Sequence, residues 1–242
     1  MTSVIITGAT GTAGSAVLNN ALANPLISHV TVLARRAPKV TSDKLTTVII
    51  PSDENPKGFS ELTPATIAQL KGSDAVIWAL GISQLQVSKD EYNTITYDYT
   101  KEAAKAFAPL GTKDKPFRFV FVSGMGADQS GKSSTLFAKV KGQVERELVA
   151  DETESFKTVN LRPGGIVPAA DHAHNLNFFN RSFLTAFNWL LPSQMIKSDD
   201  LAVAAVNLAA GRGWDERDAE HVIYNKQLLK MAQDFSSQMA PQ

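Results

Sequence analysis

The chain has 242 residues, and its 24 basic side chains balance 24 acidic ones, so the formal net charge at pH 7 is zero. This balance gives no electrostatic reason to expect a nucleic-acid partner, and no apolar run reaches the roughly 18 residues of an integral membrane segment. The absence of cysteine excludes disulfides, thiolate catalysis and cysteine-ligated metals. A core strand stands where a signal peptide would begin, and we therefore predict a cytoplasmic protein.

An apolar run at the start of the chain leads directly into closely spaced glycines. Val4–Ile6 is typical of a buried strand and Ser15–Leu22 of a helix, so the glycines stand where a strand becomes a helix. Gly8 permits a tight turn, Gly11 lets backbone amides approach a pyrophosphate, and Gly14 lets the helix press against the strand. The positive end of the helix then meets the anion. The pattern predicts a dinucleotide site formed by Gly8, Thr10, Gly11, Thr12, Ala13 and Gly14.

The end of the second predicted strand indicates which dinucleotide is bound. The strand His29–Ala34 is followed by Arg35 and Arg36, and no carboxylate stands there to hold the ribose 2′-hydroxyl of NAD(H). Two guanidiniums suit a 2′-phosphate, since each can donate two parallel charge-assisted hydrogen bonds. We therefore predict NADP(H) as the cofactor, with a solvated pair of arginines as the alternative interpretation.

Apolar strands and helical patterns alternate along the chain, which predicts a parallel sheet with helices on both faces. The later predicted strands are Thr46–Ile50, Asp74–Gly81, Phe117–Gly124 and Phe156–Arg162, and the predicted helices are Pro64–Leu70, Tyr92–Leu110 and Ser133–Ala150, the last capped by Ser133 or Ser134. The fold class is thus α/β, a doubly wound Rossmann sheet in a single domain over residues 1–242. Residues 168–197 and part of 198–242 are predicted to form a small C-terminal lobe on the substrate side.

Two further segments are predicted to contact the cofactor. The fourth strand ends in glycine, which lets a ligand lie against the backbone, so we assign Ala79, Leu80 and Gly81 to the site. The sixth strand is stopped by a proline–glycine turn at the edge where the nicotinamide would lie, so its backbone groups are predicted to fix the ring. This turn comprises Pro163, Gly164, Gly165 and Ile166.

The predicted lobe is rich in aromatic residues. Its apolar side chains predict a pocket for a small apolar substrate, or alternatively the small core of the lobe itself; they are Phe178, Phe179, Phe183, Phe187, Trp189 and Met195. His172 and His174 stand together, but no carboxylate cluster supports them, so no metal site is predicted.

Five segments together resemble the atypical short-chain dehydrogenase/reductases, and within them the Tat-interacting-protein branch and its fungal relatives. They are the glycine turn Thr7–Gly14, then Tyr97–Thr100, Val122–Asp128, Val140–Glu145 and Leu161–Gly164. The resemblance spans nearly the whole chain. It implies a Rossmann domain with a small C-terminal lobe and NADPH as the ligand.

The resemblance also implies a tyrosine one helical turn before a lysine, and a serine at the end of the preceding strand. In this chain Lys141 matches the lysine and would hold the nicotinamide ribose, but Phe137 occupies the tyrosine position. Gly124 stands at the serine position, with Ser123 beside it. The acid role would then pass to Ser123, to a nearby hydroxyl such as that of Tyr97 or Tyr99, or to water. The predicted catalytic residues are Ser123, Lys141 and Tyr97.

Three functions remain open from these residues. The first is NADP(H)-dependent reduction of an apolar carbonyl or enone. The second is an NADPH-sensing regulatory protein without turnover, and the third is a non-redox isomerase or cyclase on the same fold. A homodimer through the helices that flank the fifth strand is a further possibility.

Overall fold

The structure is a computed structural model that describes residues 1–169 and 194–239. Seven parallel strands form its main sheet, in the order β3-β2-β1-β4-β5-β6-β9, and β7 pairs with β8 in a separate parallel sheet of two strands. The strands are β1 (Thr2–Thr7), β2 (Ile27–Ala34), β3 (Leu45–Ile49), β4 (Ala75–Trp78), β5 (Phe117–Val122), β6 (Phe156–Arg162), β7 (Gly165–Val167), β8 (Met195–Lys197) and β9 (Val222–Tyr224). The order reverses direction between β1 and β4, which confirms the predicted doubly wound sheet.

Helices cover both faces of this sheet. They are α1 (Thr12–Ala23), α2 (Pro64–Leu70), α3 (Lys89–Asn93), α4 (Tyr99–Phe107), α5 (Leu136–Ala150), α6 (Ser198–Ala209) and α7 (Asn225–Met239). A π-helical segment, Thr94–Asp98, joins α3 to α4. Short 3₁₀ turns lie at Gly58–Ser60, Ala108–Leu110 and Trp214–Glu216.

The core divides into two apolar layers because successive residues of a strand point to opposite faces. In β1, Val4 and Ile6 join the layer that includes α1, α6 and α7, whereas Ile5 joins the layer beneath α2, α4 and α5. The second layer is strongly aromatic, with Trp78, Phe107 and Phe119 fully buried. Burial on both faces explains why the strands read as continuous apolar runs in the sequence.

Several predicted boundaries agree with the structure, and the two largest differences concern the start of α5 and the region after β4. Phe156–Arg162 and Pro64–Leu70 match the observed strand and helix. The predicted capping of α5 by Ser133 or Ser134 is wrong, because the helix begins at Leu136 and its N-cap is Thr135. The reason is competition from the preceding loop, where the backbone N–H of Ser133 is donated to the Asp128 carboxylate at 2.6 Å.

The other difference concerns the fourth strand and the helix that follows it. β4 ends at Trp78, so residues 79–81 form a loop and not the end of a strand. The helix begins before Tyr92, because Ser88 accepts a hydrogen bond from the backbone of Glu91 and caps α3. The predicted lobe falls largely outside the described residues, and so do its histidines His172 and His174 and its aromatic residues Phe178, Phe179, Phe183, Phe187 and Trp189.

Candidate functional site

The glycine turn between β1 and α1 is built on backbone contacts that leave no space for side chains. Gly8 has a φ of +67°, and a Cβ at this position would lie 2.3 Å from the carbonyl oxygen of Ala79. A Cβ at Gly14 would lie 2.1 Å from the carbonyl oxygen of Gly8. The turn is closed by a hydrogen bond of 2.9 Å from Gly11 N to Gly8 O. The glycines therefore allow the strand, the turn and the helix to meet backbone to backbone.

The start of α1 is suited to bind an anion. Gly11 is its N-cap and offers no side-chain acceptor, and the first turn holds no acidic residue. The first backbone amides of a helix have no acceptor within the helix itself. The amides of Thr12, Ala13 and Gly14 can therefore serve a pyrophosphate. Thr10 is exposed at the tip of the turn.

The loop after β4 lies beside the glycine turn. In addition to the contact between Ala79 and Gly8, the backbone N–H of Leu80 donates to Thr7 Oγ1 at 3.2 Å. Gly81 is exposed, and a Cβ there would meet no described atom within 4 Å. The structure thus brings together the two backbone segments to which the sequence assigned the cofactor.

Arg35 and Arg36 follow the last residue of β2, and both are exposed. β2 is the strand next to β1 in the sheet, so its carboxyl end lies beside the glycine turn. At that end, Ile50 N donates to Ala34 O at 3.0 Å, which holds the end of β3 alongside. The two guanidiniums therefore stand at the edge of the sheet where ligands of such folds bind.

Lys141 is buried, and its ammonium group reaches the end of β5. Its Nζ donates to the carbonyl oxygen of Val122 at 3.0 Å and lies 4.6 Å from the centre of the Phe121 ring. Burial lowers the pKa of Lys141 to about 8, although the negative charge of Glu145 opposes this shift. The side chain is therefore mainly charged at neutral pH, with a proton that it releases only slightly above that range.

Ser123 follows the carbonyl group to which Lys141 donates. Its backbone N–H is bonded to Leu161 O at 2.9 Å, which fixes the end of β5 against β6. Its side-chain Oγ is buried and has no hydrogen-bond partner among the described residues. A buried hydroxyl without a partner costs folding free energy, so an exogenous oxygen would gain from bonding to it.

Phe137 and Gly124 form a matched pair at the mouth of this site. A Cβ at Gly124 would lie 2.8 Å from Cζ of the Phe137 ring, and farther, 3.5 and 3.9 Å, from the two Cε atoms. The ring therefore points with its tip at Gly124. A tyrosine at position 137 would carry its hydroxyl on that same carbon and direct it at the glycine. The positions where the resemblance implies tyrosine and serine are thus filled by an apolar contact.

We expect Gly124→Ala to lower the free energy of unfolding by about 1–3 kcal/mol, because the added methyl overpacks against the ring. Phe137→Leu removes the tip of the ring, so the double variant should lose less stability than the sum of the two single variants. Urea unfolding of the wild type, both single variants and the double variant measures this coupling. Strictly additive losses would show that the two residues do not press on each other.

Tyr97 lies apart from the other two residues predicted to be catalytic. Its hydroxyl donates to Glu147 Oε2 at 2.8 Å, and Glu147 lies nearly two turns of α5 beyond Lys141 (about 3.6 residues per turn). This hydrogen bond, with burial, raises the pKa of Tyr97. Lys101, on α4, forms an ion pair with Glu147 at 3.5 Å, so the phenol belongs to the contact that α4 and the π-helical segment before it make with α5. The structure therefore brings Ser123 and Lys141 together but does not bring Tyr97 to them.

The turn after β6 is fixed from several directions. Pro163 O accepts a hydrogen bond of 2.8 Å from the backbone of Met125, in the loop after β5. Gly164 N donates to Asn225 Oδ1 at 2.8 Å. Gly165 and Ile166 continue into β7 and pair with β8. The predicted nicotinamide turn thus lies between the loop after β5 and the start of α7.

The sequence did not indicate two interactions that support the site. Glu145, fully buried on α5, receives three hydrogen bonds from Arg162: Nε to Oε1 at 3.0 Å, Nε to Oε2 at 3.2 Å and Nη2 to Oε2 at 2.5 Å. Gln129 also donates to Glu145, at 3.2 Å. A signal was present, since a glutamate one turn after Lys141 on a buried face requires a cation.

The second interaction joins the loop after β5 to α5. A Cβ at Gly142 would lie 2.0 Å from the carbonyl oxygen of Asp128, and Asp128 N donates to Ala138 O at 3.0 Å. The Asp128 carboxylate accepts from Ser130 Oγ and from the backbone of Ser133, which lowers its pKa. The sequence suggested a family motif here, and the structure shows that the motif is a packing arrangement.

Within residues 1–169 and 194–239 no helix is long and apolar enough to cross a membrane. The same part of the chain holds no group of three or more histidine, aspartate or glutamate side chains that could bind a metal ion.

Comparison with known proteins agrees with this geometry. Residues 8–167 match the family described as NAD(P)H-binding. The chain belongs to this NAD(P)H-binding family. It is similar to mitochondrial protein FMP52 of Candida albicans, with 28% identity over 97% of this chain and 100% of that protein. It is also similar to mitochondrial protein fmp52 of Emericella nidulans, with 31% identity over 86% of this chain and 87% of that protein.

A solved structure shares the fold of this NAD(P)H-binding protein. A short-chain dehydrogenase from Burkholderia cenocepacia, in complex with NADP, superimposes with a TM-score of 0.64 and 15% identity, covering 98% of this chain and 91% of that one. The similarity to the atypical short-chain dehydrogenase/reductases and their fungal relatives is thereby confirmed. The prediction of a cytoplasmic protein is wrong, because the fungal relatives are named mitochondrial. Zero net charge and missing cysteines do not distinguish one reducing compartment from another.

Proposed function

We propose that this protein is a mitochondrial oxidoreductase that binds NADP(H) and reduces a small apolar carbonyl compound or enone. The observation that carries the proposal is the uncapped start of α1 beside two exposed arginines at the end of β2. The backbone amides at the start of α1 would bind the pyrophosphate, and the guanidiniums of the two arginines would bind the additional 2′-phosphate. The mitochondrial location follows from the names of the fungal relatives.

Each residue of the site has a role in this proposal. When bound, NADP(H) supplies or accepts a hydride. Lys141, charged at neutral pH, holds the nicotinamide ribose hydroxyls. Ser123 would donate a hydrogen bond to the substrate oxygen and orient it, because its Oγ lacks a described partner, and the proton that this oxygen takes up would come from water. The turn Pro163–Ile166 borders the nicotinamide with backbone groups, and Ala79–Gly81 border the centre of the dinucleotide.

The preference for an apolar substrate rests on the loops around the site. Leu85, in the loop after β4, is 89% exposed, and Met125, in the loop after β5, is 45% exposed. The tip of the Phe137 ring fills the space beside Gly124. Large apolar side chains that face solvent beside a predicted binding site favour an apolar ligand.

Calorimetric titration with NADPH, NADH and NADP⁺ tests the binding step. The absorbance of bound NADPH is then followed during incubation with a panel of apolar aldehydes, ketones and enones. Tight NADPH binding with substrate-dependent loss of absorbance supports the reductase. The absence of binding to any nicotinamide dinucleotide would contradict the proposal at its first step.

A second candidate function is favoured by the contact between Phe137 and Gly124. Phe137 and Gly124 carry no hydroxyl group where the resemblance implies those of a tyrosine and a serine. Hydride transfer would therefore lack its usual acid. The protein would then bind NADPH without turnover and act as a sensor whose conformation the cofactor biases. Tight NADPH binding without turnover on any member of the panel would favour this candidate over the reductase.

Arg35→Ala is expected to weaken NADPH binding by roughly 10- to 100-fold and to leave NADH binding nearly unchanged, because it removes charge-assisted hydrogen bonds to the 2′-phosphate alone. Calorimetry with both cofactors gives the ratio. Lys39→Ala is the matched control, since this exposed lysine lies in the same loop and its loss changes the net charge equally. An unchanged ratio of NADPH affinity to NADH affinity in Arg35→Ala would contradict the proposal that this arginine binds the 2′-phosphate.

A further inference from the structure

Asn225 connects three segments that the sequence places far apart. It is the first residue of α7, directly after β9, and its side chain is 6% exposed. Its Oδ1 accepts the backbone N–H of Gly164 at 2.8 Å, and its Nδ2 donates to the carbonyl oxygen of Met195 at 3.2 Å. One side-chain amide therefore holds the turn after β6 against the first residue of β8.

Asparagine is well suited to this position. The amide group offers an acceptor and a donor in one plane, and two of its bonding partners here are one N–H and one carbonyl. Only one orientation of the amide satisfies both, so the assignment of Oδ1 and Nδ2 follows from the partners. Aspartate could accept from Gly164 but would face the Met195 carbonyl with a second oxygen.

The turn held by Asn225 is closely packed on the remaining sides. A Cβ at Gly164 would lie 1.9 Å from the carbonyl oxygen of Gln194, so the two backbones are in contact. The Met125 N–H bonds to Pro163 O, and Gly165 pairs with Met195 in the two-stranded sheet. The position of the turn thus depends on how β8 and α7 are held against it, and the Asn225 side chain provides this connection.

The sheet order places this turn under one half of the predicted cofactor. In doubly wound sheets a dinucleotide lies across the carboxyl edge, with its two halves on either side of the switch point. The arginines after β2 assign the adenosine half to the side of β1 to β3, so the nicotinamide half lies over β4, β5 and β6. The turn after β6 is on this second side.

We propose that Asn225 is a positioning residue that holds the turn Pro163–Ile166 in place to receive the nicotinamide half of the cofactor. This inference rests on the proposed binding of NADP(H). It assigns to Asn225 an effect on one half of the ligand only. A purely structural residue would affect both halves or neither.

The experiment compares NADPH with 2′,5′-ADP, which contains the adenosine 2′-phosphate but no nicotinamide. Asn225→Asp keeps the acceptor for Gly164 and suits the start of a helix, but it loses the donor to Met195. We expect this variant to bind NADPH several-fold to about tenfold more weakly, the scale of one lost buried hydrogen bond. Its affinity for 2′,5′-ADP should stay within twofold of the wild type, and the fluorescence enhancement of bound NADPH should decrease.

Asn207→Asp is the matched control. Asn207 is a fully buried asparagine on α6, whose Nδ2 donates to Val203 O within the same helix. It should alter neither affinity. Equal weakening of NADPH and 2′,5′-ADP in Asn225→Asp, or no weakening of either, would overturn the inference while NADP(H) binding stands. If the wild type binds neither compound, both the inference and the proposed function are wrong.

A second measurement on the wild type does not depend on the variant folding. Amide hydrogen exchange of Gly164 should slow when NADPH binds, because the ligand then covers the turn that Asn225 holds. Binding of 2′,5′-ADP should leave this exchange unchanged. Equal protection by both compounds, or by neither, would contradict the assignment of the turn to the nicotinamide half.

Discussion

Replacing Glu145 with alanine is expected to lower the free energy of unfolding by about 3–5 kcal/mol. The carboxylate is fully buried and holds Arg162 through three hydrogen bonds, at 3.0, 3.2 and 2.5 Å. The variant leaves the guanidinium buried without its counter-charge. A buried charge without a partner lowers the free energy of unfolding by far more than the intact ion pair adds to it. Truncating one partner of the pair is therefore strongly destabilising.

Thermal and urea unfolding of Glu145→Ala measure this loss, and the melting temperature should fall by roughly 10 °C for a domain of this size. Glu147→Ala is the control on the same helix, because Glu147 is partly exposed, so that water can replace it as the acceptor for Tyr97 and Gln143, and because its ion pair with Lys101, at 3.5 Å, lies near the surface. Pairs of that kind contribute no more than about 1 kcal/mol. Similar losses in the two variants would show that the buried pair is not the stronger interaction.

Replacing Gly14 with alanine is expected to reduce NADPH affinity by about 100-fold, the effect of losing two charge-assisted hydrogen bonds. The new Cβ would lie 2.1 Å from Gly8 O, whereas ordinary contacts begin near 3.4 Å. The helix must therefore move away from the turn by more than about 1 Å, which misdirects the amides of Thr12 and Ala13. Calorimetric titration with NADPH gives the affinity.

Gly72→Ala separates this backbone effect from a general loss of stability. Gly72 precedes β4 and lies away from the carboxyl edge of the sheet, and a Cβ there meets no described atom within 4 Å, so the variant strains a glycine with a φ of +89° without touching the site and NADPH affinity should change little. Circular dichroism confirms that each variant folds. Unchanged NADPH affinity in Gly14→Ala would mean that the start of α1 does not bind the pyrophosphate.

The fold was predictable because its strongest signals are local. The run Val4–Ile6, the glycines that follow it and the alternating apolar segments all express backbone requirements of a parallel sheet. The order of the strands then follows from the connections. Phe156–Arg162 could be assigned without error because the segment is largely apolar and a proline–glycine turn marks its end.

The contacts between side chains at the site were less predictable, since they join residues that are distant in sequence. Tyr97 stood beside a helix of the resemblance motif, but its hydroxyl turns to Glu147, which no spacing rule indicates. Ser133 has the chemistry of a helix cap, yet the Asp128 carboxylate holds its backbone. In both cases a hydrogen bond to a carboxylate outside the recognised pattern determined the outcome, although Glu147 is 50 residues from Tyr97 and Asp128 only five from Ser133.

The sequence shows phenylalanine at position 137, where the resemblance implies tyrosine, but it does not show what the ring contacts. Read alone, it suggested a missing acid. The structure shows that Gly124 accommodates the ring, so the two positions are adapted to each other. Restoring the tyrosine alone would therefore not restore the geometry that the resemblance implies.

The contact between Gly142 and Asp128 also determines which homologous sequences can adopt the same loop after β5. A homologue that carries a side chain at the position of Gly142 cannot keep the Asp128 backbone against α5, because a Cβ there would lie 2.0 Å from its oxygen. Its loop after β5 must therefore follow a different path. Glycine at this position is the criterion for transferring the path of this loop to another sequence, independently of the glycine turn between β1 and α1.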